Sequence, residues 1–356
     1  MSITPEVTFI PEWAEQDLVL LSWPNADMDW ASRLPEIEAC YRGIAEAILE
    51  WEDLLILAKD TEHVRQFLGD KPRKHQLFLL EMECNDTWCR DYAPLSLHYH
   101  EADGTLRPLI VDFTFNGWGM KFAADRDNLV SRALYLSRAF TPDVAYVNGL
   151  SIVFEGGGIE SDGQGTLLTT DSVVVEPNRN AGVDEEVLRA HLMEILGGKR
   201  LLSLENGELE GDDTDGHIDT LARFLTPEMI AYVGCDDERD SHYHALRRMR
   251  EELENFRTLE DKPYQLVELP LPPAIYDEED QRLPATYANF LFVNGALLVP
   301  TYGVPSDEVA LERLRKALPE LAVVGVDSRA LIYQHGSLHC ATMQFPKEFI
   351  NKNKWN

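Results

Sequence analysis

The hydrophobic positions of this chain alternate between short continuous runs and helical spacing. Residues 18–24 and 53–60 are apolar runs of strand length, which predicts two buried strands. Over 34–51 the apolar side chains recur every three or four residues, as on one face of a helix. The same spacing predicts helices over 126–140, 183–196, 236–257 and 306–319, the last with Ser306 as its N-cap.

Three segments have the pattern of a β-hairpin. In 289–302, the dipeptide Asn294-Gly295 separates two apolar runs and favours a type I′ turn. Residues 160–170 contain two glycines between strand-like runs, and 220–234 turns at Thr226-Pro227-Glu228. Strand pairs therefore alternate with single helices. Five units of about 70 residues, each with two strands, a helix and a strand, would account for the length, and a three-layer α/β sheet is the alternative.

Composition narrows the classes of partner. Asp and Glu number 62 against 32 Lys and Arg, so the formal net charge of the 356 residues is −30 at pH 7. Such a surface repels phosphate backbones and anionic lipid, which disfavours nucleic acid and membrane partners. A small cationic substrate is compatible with it.

The cysteines indicate a reducing compartment. The five are scattered and no CxxC pair occurs, so neither a disulfide framework nor a structural zinc site is expected. The N-terminus lacks the basic and apolar regions of a signal peptide, and no apolar run approaches the length that spans a bilayer. We expect a cytoplasmic protein.

Four polar clusters could carry chemistry. They are 83–94, with Asp86, Trp88 and Asp91; 154–163, with Glu155 before three glycines; 209–224, with His217 and Asp219; and 335–344, with Cys340. His217 and Asp219 are two residues apart on a predicted strand, which would place both side chains on one face. Each cluster also has a structural interpretation: the acids as turn or cap residues, the glycines as a loop, the aromatic residues as core, and Cys340 as a small buried residue.

The excess of carboxylates bears on the substrate. Carboxylates near a thiol raise its pKa, which suits a substrate that brings its own positive charge. A guanidinium does so: two carboxylates can bind its planar N–H groups, and a tryptophan face can stack on it. A histidine could protonate the departing ammonia and then activate water.

The chain resembles the agmatine deiminases, within the wider guanidino-group-modifying superfamily and its bacterial-type peptidyl-arginine deiminase branch. The matching segments span nearly the whole chain, and the GHxD and HC elements define the chemistry. They are EWAEQDLVLLSWP (12–24), NDTWCRDYAP (85–94), FNGWGMKF (115–122), FEGGGIESDGQGTLLTT (154–170), EPNRN (176–180), DDTDGHIDTLARF (212–224), LPATYANFLFVNGALLVPTYG (283–303) and HGSLHCATMQ (335–344).

The resemblance implies an α/β fold, a five-bladed propeller of ββαβ units with pseudo-fivefold symmetry, forming one catalytic domain over 1–356. It implies Cys340 as the nucleophile and His217 as the general acid and base, with Glu155 hydrogen-bonded to His217. Asp91 and Asp219 would hold the guanidinium.

By the same resemblance, Trp88 and Trp118 would form walls of the pocket. Asp86 and Asp213 are candidates for the substrate's distal amine. Neither a cofactor nor a metal is expected, and a homo-oligomer is compatible with the family.

Other functions stay open at this point. Agmatine is the substrate that the resemblance implies, and free arginine or peptidyl arginine is the alternative. From other classes, a metal hydrolase could use His217, Asp219, His339 and Cys340, and a non-catalytic propeller could act as a binding module. Two departures from the family pattern stand out: His335-Gly336-Ser337 replaces a pair of glycines before the HC element, and NADMDW (25–30) replaces a more basic segment.

Overall fold

Strands and helices alternate along the chain, and residues 6–354 are described by a computed structural model. The strands are β1 Val7–Phe9, β2 Gln16–Ser22, β3 Asp53–Ala58, β4 Leu77–Glu81, β5 Leu95–His100, β6 Leu106–Thr114, β7 Ala145–Val153, β8 Glu160–Ser161, β9 Thr166–Thr170, β10 Arg200–Leu204, β11 Ala222–Thr226, β12 Met229–Gly234, β13 Gln265–Pro270, β14 Leu291–Val293, β15 Ala296–Thr301, β16 Ala322–Asp327 and β17 Thr342–Pro346. The helices are α1 Leu34–Ile48, α2 Thr61–Leu68, α3 Gly117–Met120, α4 Val130–Leu136, α5 Asp171–Val175, α6 Glu185–Leu196, α7 Tyr243–Asn255 and α8 Ser306–Ala317.

In the described part of the chain the strands form five separate sheets of three or four strands. Each contains an antiparallel pair, a helical crossover and a parallel strand: β17–β2 with β3, β5–β6 with β7, β8–β9 with β10, β11–β12 with β13, and β14–β15 with β16. This is the ββαβ order expected from the sequence, and the alternative of one three-layer sheet is wrong. No helix among residues 6–354 is both long and apolar enough to cross a membrane.

The last described strand pairs with the second strand of the chain in one sheet. Strand β17 pairs antiparallel with β2, with Thr342 opposite Leu21 and Phe345 opposite Leu18. Most residues of both strands are buried. The centroid of the Phe345 ring lies 5.3 Å from the centroid of the Phe140 ring. The pairing therefore fixes the segment just before β17, which contains Cys340.

The predicted strands and hairpins are present, as is the apolar face of α1, where Ile37, Tyr41, Ile44 and Ile48 are fully buried. All five predicted helices differ in their bounds or capping: α1 ends at Ile48 instead of residue 51, α6 begins at Glu185 instead of residue 183, and in the other three polar side chains and backbone turns compete with helix formation. The segment 126–140 is helical only to Leu136, since Arg138 has a φ of 62°. The helix predicted over 236–257 begins at Tyr243, because Asp237 and Asp240 accept backbone N–H groups in the preceding turns.

Ser306 is not an N-cap. It is the first residue of α8, and its hydroxyl contacts that of Tyr287, while Asp307 accepts the backbone N–H groups of residues 302, 303 and 304. The Asn294-Gly295 turn is not type I′ either, because only Gly295 has a positive φ, of 81°. The Asn294 side chain instead bonds the backbone N–H and C=O of Gln16.

We expect Phe345→Ala to reduce the free energy of unfolding by about 3–5 kcal/mol, because it empties a fully buried site in the closing strand. The measurement is urea denaturation followed by circular dichroism. Leu136→Ala, at a side chain that is 79% exposed, is the control and should change stability by less than about 0.5 kcal/mol. Equal effects of the two changes would contradict the role assigned to β17.

Candidate active site

A pocket of about 180 Å³ lies where loops from several sheets converge. Six residues singled out in the sequence line it: Asp86, Trp88, Asp91, Trp118, Asp213 and Cys340. The other three, Glu155, His217 and Asp219, are fully buried beside it. An added methyl group on Gly157 would lie 2.6 Å from His217 Nδ1, 2.8 Å from Asp91 Oδ1 and 3.1 Å from Asp219 Oδ2, so these three groups surround a single backbone position.

The Cys340 thiol is at the base of the pocket, two residues before β17. Asn289 fixes it, donating from Nδ2 to Sγ at 3.2 Å and accepting the backbone N–H groups of His339 and Cys340. Asp219 Oδ2 lies 3.6 Å from Sγ. Burial, together with the charges of Asp219 and Asp91, raises the pKa of Cys340 well above its ordinary value. These surroundings therefore favour the neutral thiol over the thiolate.

His217 is a buried cation. Its Nδ1 lies 3.5 Å from Asp91 Oδ1, and its Nε2 lies 3.7 Å from Glu155 Oε2. Burial alone would lower the pKa of His217, but the charges of Asp91, Glu155 and Asp219 outweigh it and raise the pKa to about 9. At neutral pH the imidazolium can donate a proton.

Two expectations about this histidine need correction. Glu155 lies beyond hydrogen-bonding distance of His217, at 3.7 Å, and its two oxygens instead accept from Arg179 Nε at 2.9 and 2.8 Å. The His217–Asp219 segment is also not a strand. It enters a 3-10 turn, Ile218–Thr220, in which the Thr220 N–H and hydroxyl both donate to the His217 carbonyl.

Asp91 is held by two donors. The Trp118 indole N–H donates to Oδ2 and the Gly157 backbone N–H donates to Oδ1, both at 2.9 Å. Trp118 reaches Asp91 from an unusual turn, because residues 117–120 all have positive φ, between 52° and 78°. Two of the four are glycines, which adopt this conformation without strain.

The two oxygens of Asp219 have different surroundings. Oδ2 accepts a hydrogen bond from His339 Nδ1 at 2.7 Å, whereas Oδ1 has no partner among residues 6–354, although the residue is fully buried. Burial would raise the pKa of Asp219, but His339 and His217 lower it below the ordinary value. Oδ1 is therefore a buried, charged acceptor that a substrate N–H can satisfy.

The outer part of the pocket is acidic. Asp29, Asp86 and Asp213 line it together with His335. Burial and the charge of Asp29 raise the pKa of Asp86 to about 7. His335 has a φ of 65° and contacts the Gly211 carbonyl, and its Nε2 lies 3.6 Å from Asp213 Oδ2. Segments 25–30 and 335–337, which depart from the family pattern, therefore both contribute residues to the pocket lining: Asp29 from the first, and His335 and Gly336 from the second.

Sequence reasoning assigned no role to several residues that shape this site. They are Glu12, Arg179, Asn289 and His335, and His339 was considered only as a metal ligand. All five lie within the segments that carry the family resemblance, so the signal was present. The sequence does not show which of these residues contact each other in the fold, and some contacts join residues as far as 327 positions apart.

The four residues considered as metal ligands from the sequence, His217, Asp219, His339 and Cys340, do not together form a cluster of potential ligand atoms in the described chain. Among residues 6–354, the ligand atoms that gather within 4.8 Å are those of Glu12, Glu160 and His339. Arg223 already bonds both carboxylates, through Nη2 to Glu12 at 2.8 Å and through Nε to Glu160 at 2.5 Å. The Arg223 guanidinium therefore already pairs with both carboxylates of this cluster.

The fold and the site define a class: an α/β protein with a buried thiol, an imidazolium and paired carboxylates arranged for a cationic group. The sequence model of the Porphyromonas-type peptidyl-arginine deiminase family matches residues 8–346. The chain belongs to this family and is accordingly a hydrolase of carbon–nitrogen bonds in guanidino groups. The resemblance read from the sequence is confirmed.

Individual relatives agree with this assignment. Agmatine deiminase of Stutzerimonas stutzeri is 30% identical over 95% of both chains. A C. jejuni agmatine deiminase, solved as a cysteine-to-serine variant with substrate bound, is 36% identical, with a TM-score of 0.88 over 98% of both chains. A structure from Porphyromonas gingivalis, provisionally described as an arginine deiminase, is 50% identical, with a TM-score of 0.90 over 97% of this chain and all of that one.

We expect Glu155→Gln to lower the pKa of His217 below about 9, because it removes one of the charges that stabilise the imidazolium. The measurement is an NMR titration of the imidazole carbons. Glu176→Gln is the control, since Glu176 contacts Arg179 and not His217. An unchanged His217 pKa in Glu155→Gln would contradict the prediction.

The same shift links stability to pH. Because the folded-state pKa of His217 lies above the ordinary value of 6.5, its protonation stabilises the fold fully below about pH 6.5. That contribution is lost as the pH rises to about 9.

Proposed function

We propose that the protein is an agmatine deiminase, which hydrolyses agmatine to N-carbamoylputrescine and ammonia. The observation that carries this proposal is the Asp219 carboxylate, whose Oδ2 lies 3.6 Å from the Cys340 thiol and whose buried Oδ1 has no partner in the described chain, next to a pocket whose outer part is acidic. A substrate with a guanidinium at one end and a second cation at the other complements both regions. The agmatine deiminases among the relatives support the same substrate.

The proposal includes the architecture. The five sheets share one ββαβ order, and the last described strand, β17, pairs with β2 near the start of the described chain. We propose that they are the blades of a five-bladed propeller forming one catalytic domain over 1–356. Loops from different blades then supply Asp91, Glu155, His217 and Cys340 to one central pocket.

The reaction begins with the charge of the substrate. The guanidinium binds between Asp91 and Asp219, with Trp88 and Trp118 as walls. Its charge offsets the two carboxylates that raise the Cys340 pKa, so the thiol loses its proton to solvent. The thiolate then attacks the guanidinium carbon to give a tetrahedral adduct.

His217 transfers the protons of the later steps. The imidazolium donates to the leaving nitrogen, the carbon–nitrogen bond breaks, and ammonia departs. The S-alkylthiouronium that remains is still cationic and stays between Asp91 and Asp219. Neutral His217 takes a proton from water as the water attacks, and collapse of this adduct breaks the carbon–sulfur bond and frees Cys340.

Arginine is the second candidate substrate, as the free amino acid or within a peptide. The structural relative described as an arginine deiminase favours it. Against free arginine stands the acidic outer pocket, because Asp29, Asp86 and Asp213 would repel an α-carboxylate. The ligand of the distal amine is Asp213 or Asp86 in this proposal.

We expect the purified protein to release ammonia and a ureido product from agmatine, and not from arginine or a short arginine peptide. Cys340→Ala should abolish turnover, because no nucleophile remains. The measurement is quantification of ammonia and the ureido compound in parallel incubations, each with and without EDTA.

The outcomes separate the alternatives. Turnover of arginine or of the peptide alone would keep the chemistry and overturn the substrate. Loss of agmatine turnover in EDTA with recovery in zinc would support the metal hydrolase, and no turnover of any guanidine would favour the binding module.

We expect Asp213→Asn to raise the KM for agmatine about tenfold with little change in kcat, because it weakens attraction for the distal amine and not for the reacting group. The measurement is steady-state kinetics with agmatine and with butylguanidine, whose tail is uncharged. Glu210→Gln, an exposed acid in the same loop, is the control. An equal rise in KM for both substrates would exclude Asp213 as the ligand of the amine.

A further inference from the structure

His339 lies between two buried carboxylates. Its Nδ1 is 2.7 Å from Asp219 Oδ2 and its Nε2 is 2.6 Å from Glu12 Oε2. All three residues are less than 9% exposed. A carboxylate can only accept hydrogen bonds, and a neutral imidazole has a single N–H. When both carboxylates are ionised, both bonds form together only if each ring nitrogen carries a proton.

Glu12 connects this histidine to the core. Its Oε2 also accepts from Arg223 Nη2 at 2.8 Å and lies 3.5 Å from Arg90 Nη2, while Oε1 accepts the backbone N–H of Phe292 at 2.8 Å. Burial would raise the pKa of Glu12, but Arg223, His339 and Arg90 lower it well below the ordinary value. Glu12 is therefore ionised and anchored on several sides.

We propose that His339, anchored by Glu12, is a positioning residue that fixes the Asp219 carboxylate through Oδ2 and keeps Oδ1 free to accept from the substrate guanidinium. This role rests on the proposed function, because it requires a guanidinium in the pocket. His339 donates to Oδ2 and leaves Oδ1 without a partner in the described part of the chain. Without the Nδ1 donor, the carboxylate is free to rotate and the pocket is no longer preorganised.

Two substitutions separate the two sides of the ring. The side-chain amide of His339→Asn stands near the position of Nδ1 and can still donate to Asp219. The longer His339→Gln places its amide near the position of Nε2, where it can reach Glu12 and not Asp219. If His339 acts through Asp219, His339→Asn should retain agmatine affinity and His339→Gln should lose it.

The experiment is isothermal titration calorimetry in the Cys340→Ala background, which binds substrate without turnover. The probes are agmatine and N-carbamoylputrescine, which share the amine tail and differ in the charge of the reacting group. We expect His339→Gln to weaken agmatine binding at least about tenfold, the effect of one charge-assisted hydrogen bond, and His339→Asn to stay within about threefold of the parent. Binding of the neutral ureido compound should change little in either variant.

A double-mutant cycle tests whether the effect passes through Asp219. In the Asp219→Asn background, His339→Gln should cause almost no further loss of agmatine affinity, because the carboxylate it positions is gone. His242→Gln is the control, since His242 is equally buried, bonds Asp240 and the Glu210 N–H, and lies outside the site. It should leave affinity for both probes unchanged.

The results distinguish this role from the proposed function. Agmatine binding with equal losses in the asparagine and glutamine variants, or equal losses of both probes, would overturn the positioning role alone. Failure of agmatine to bind the Cys340→Ala protein would overturn the proposed function and this role with it. If His339→Gln does not fold by circular dichroism, the asparagine variant decides, because a loss of agmatine affinity beyond tenfold there would overturn the role.

Discussion

The site gathers buried carboxylates that repel one another, and the structure depends on the buried cations that offset that repulsion. Asp91, Glu155 and Asp219 are almost wholly buried within a few ångströms of one imidazole. Arg179 neutralises Glu155 through both oxygens, and His339 binds one oxygen of Asp219. His217 faces Asp91 and Glu155, so three cations offset three acids, although His339 is shared with Glu12 and Arg179 with Asp215. Under the proposed function, a substrate cation satisfies the free oxygen of Asp219. Burial and the charges of Asp219 and Asp91 meanwhile hold the pKa of Cys340 above its ordinary value.

Different sheets supply the charged groups and the thiol. Glu12 precedes β2, Asp91 precedes β5, Asp219 precedes β11 and Cys340 precedes β17. Backbone and amide donors then fix the reacting groups, as Gly157 and Trp118 do for Asp91 and as Asn289 does for Cys340. A buried charge costs several kcal/mol unless it is paired and hydrogen-bonded, so these donors are part of the stability of the fold as well as of the site.

The sequence predicts the repeating elements because they depend on local pattern. The apolar face of α1 and the hairpin around Asn294 follow from spacing and turn residues alone. The bounds of α7 and the capping of α8 do not, because Asp237, Asp240 and Asp307 use their carboxylates on nearby backbone groups. The nine site residues came from motifs and a family resemblance, and the structure gathers them. The contact between His339 and Glu12 cannot be predicted from local sequence pattern, because the two residues are 327 positions apart.

The closing strand has a consequence for how activity arises. Because β17 must pair with β2, the thiol reaches the acids only when the last part of the described chain meets the first. Contacts of such large sequence separation form late, since the entropy of closing the loop is not repaid until the intervening elements are in place. Without this pairing the Cys340 thiol, the proposed nucleophile, has no fixed position relative to His217, Asp91 and Asp219. Under the proposed function, reactivity toward guanidines therefore requires the completed fold.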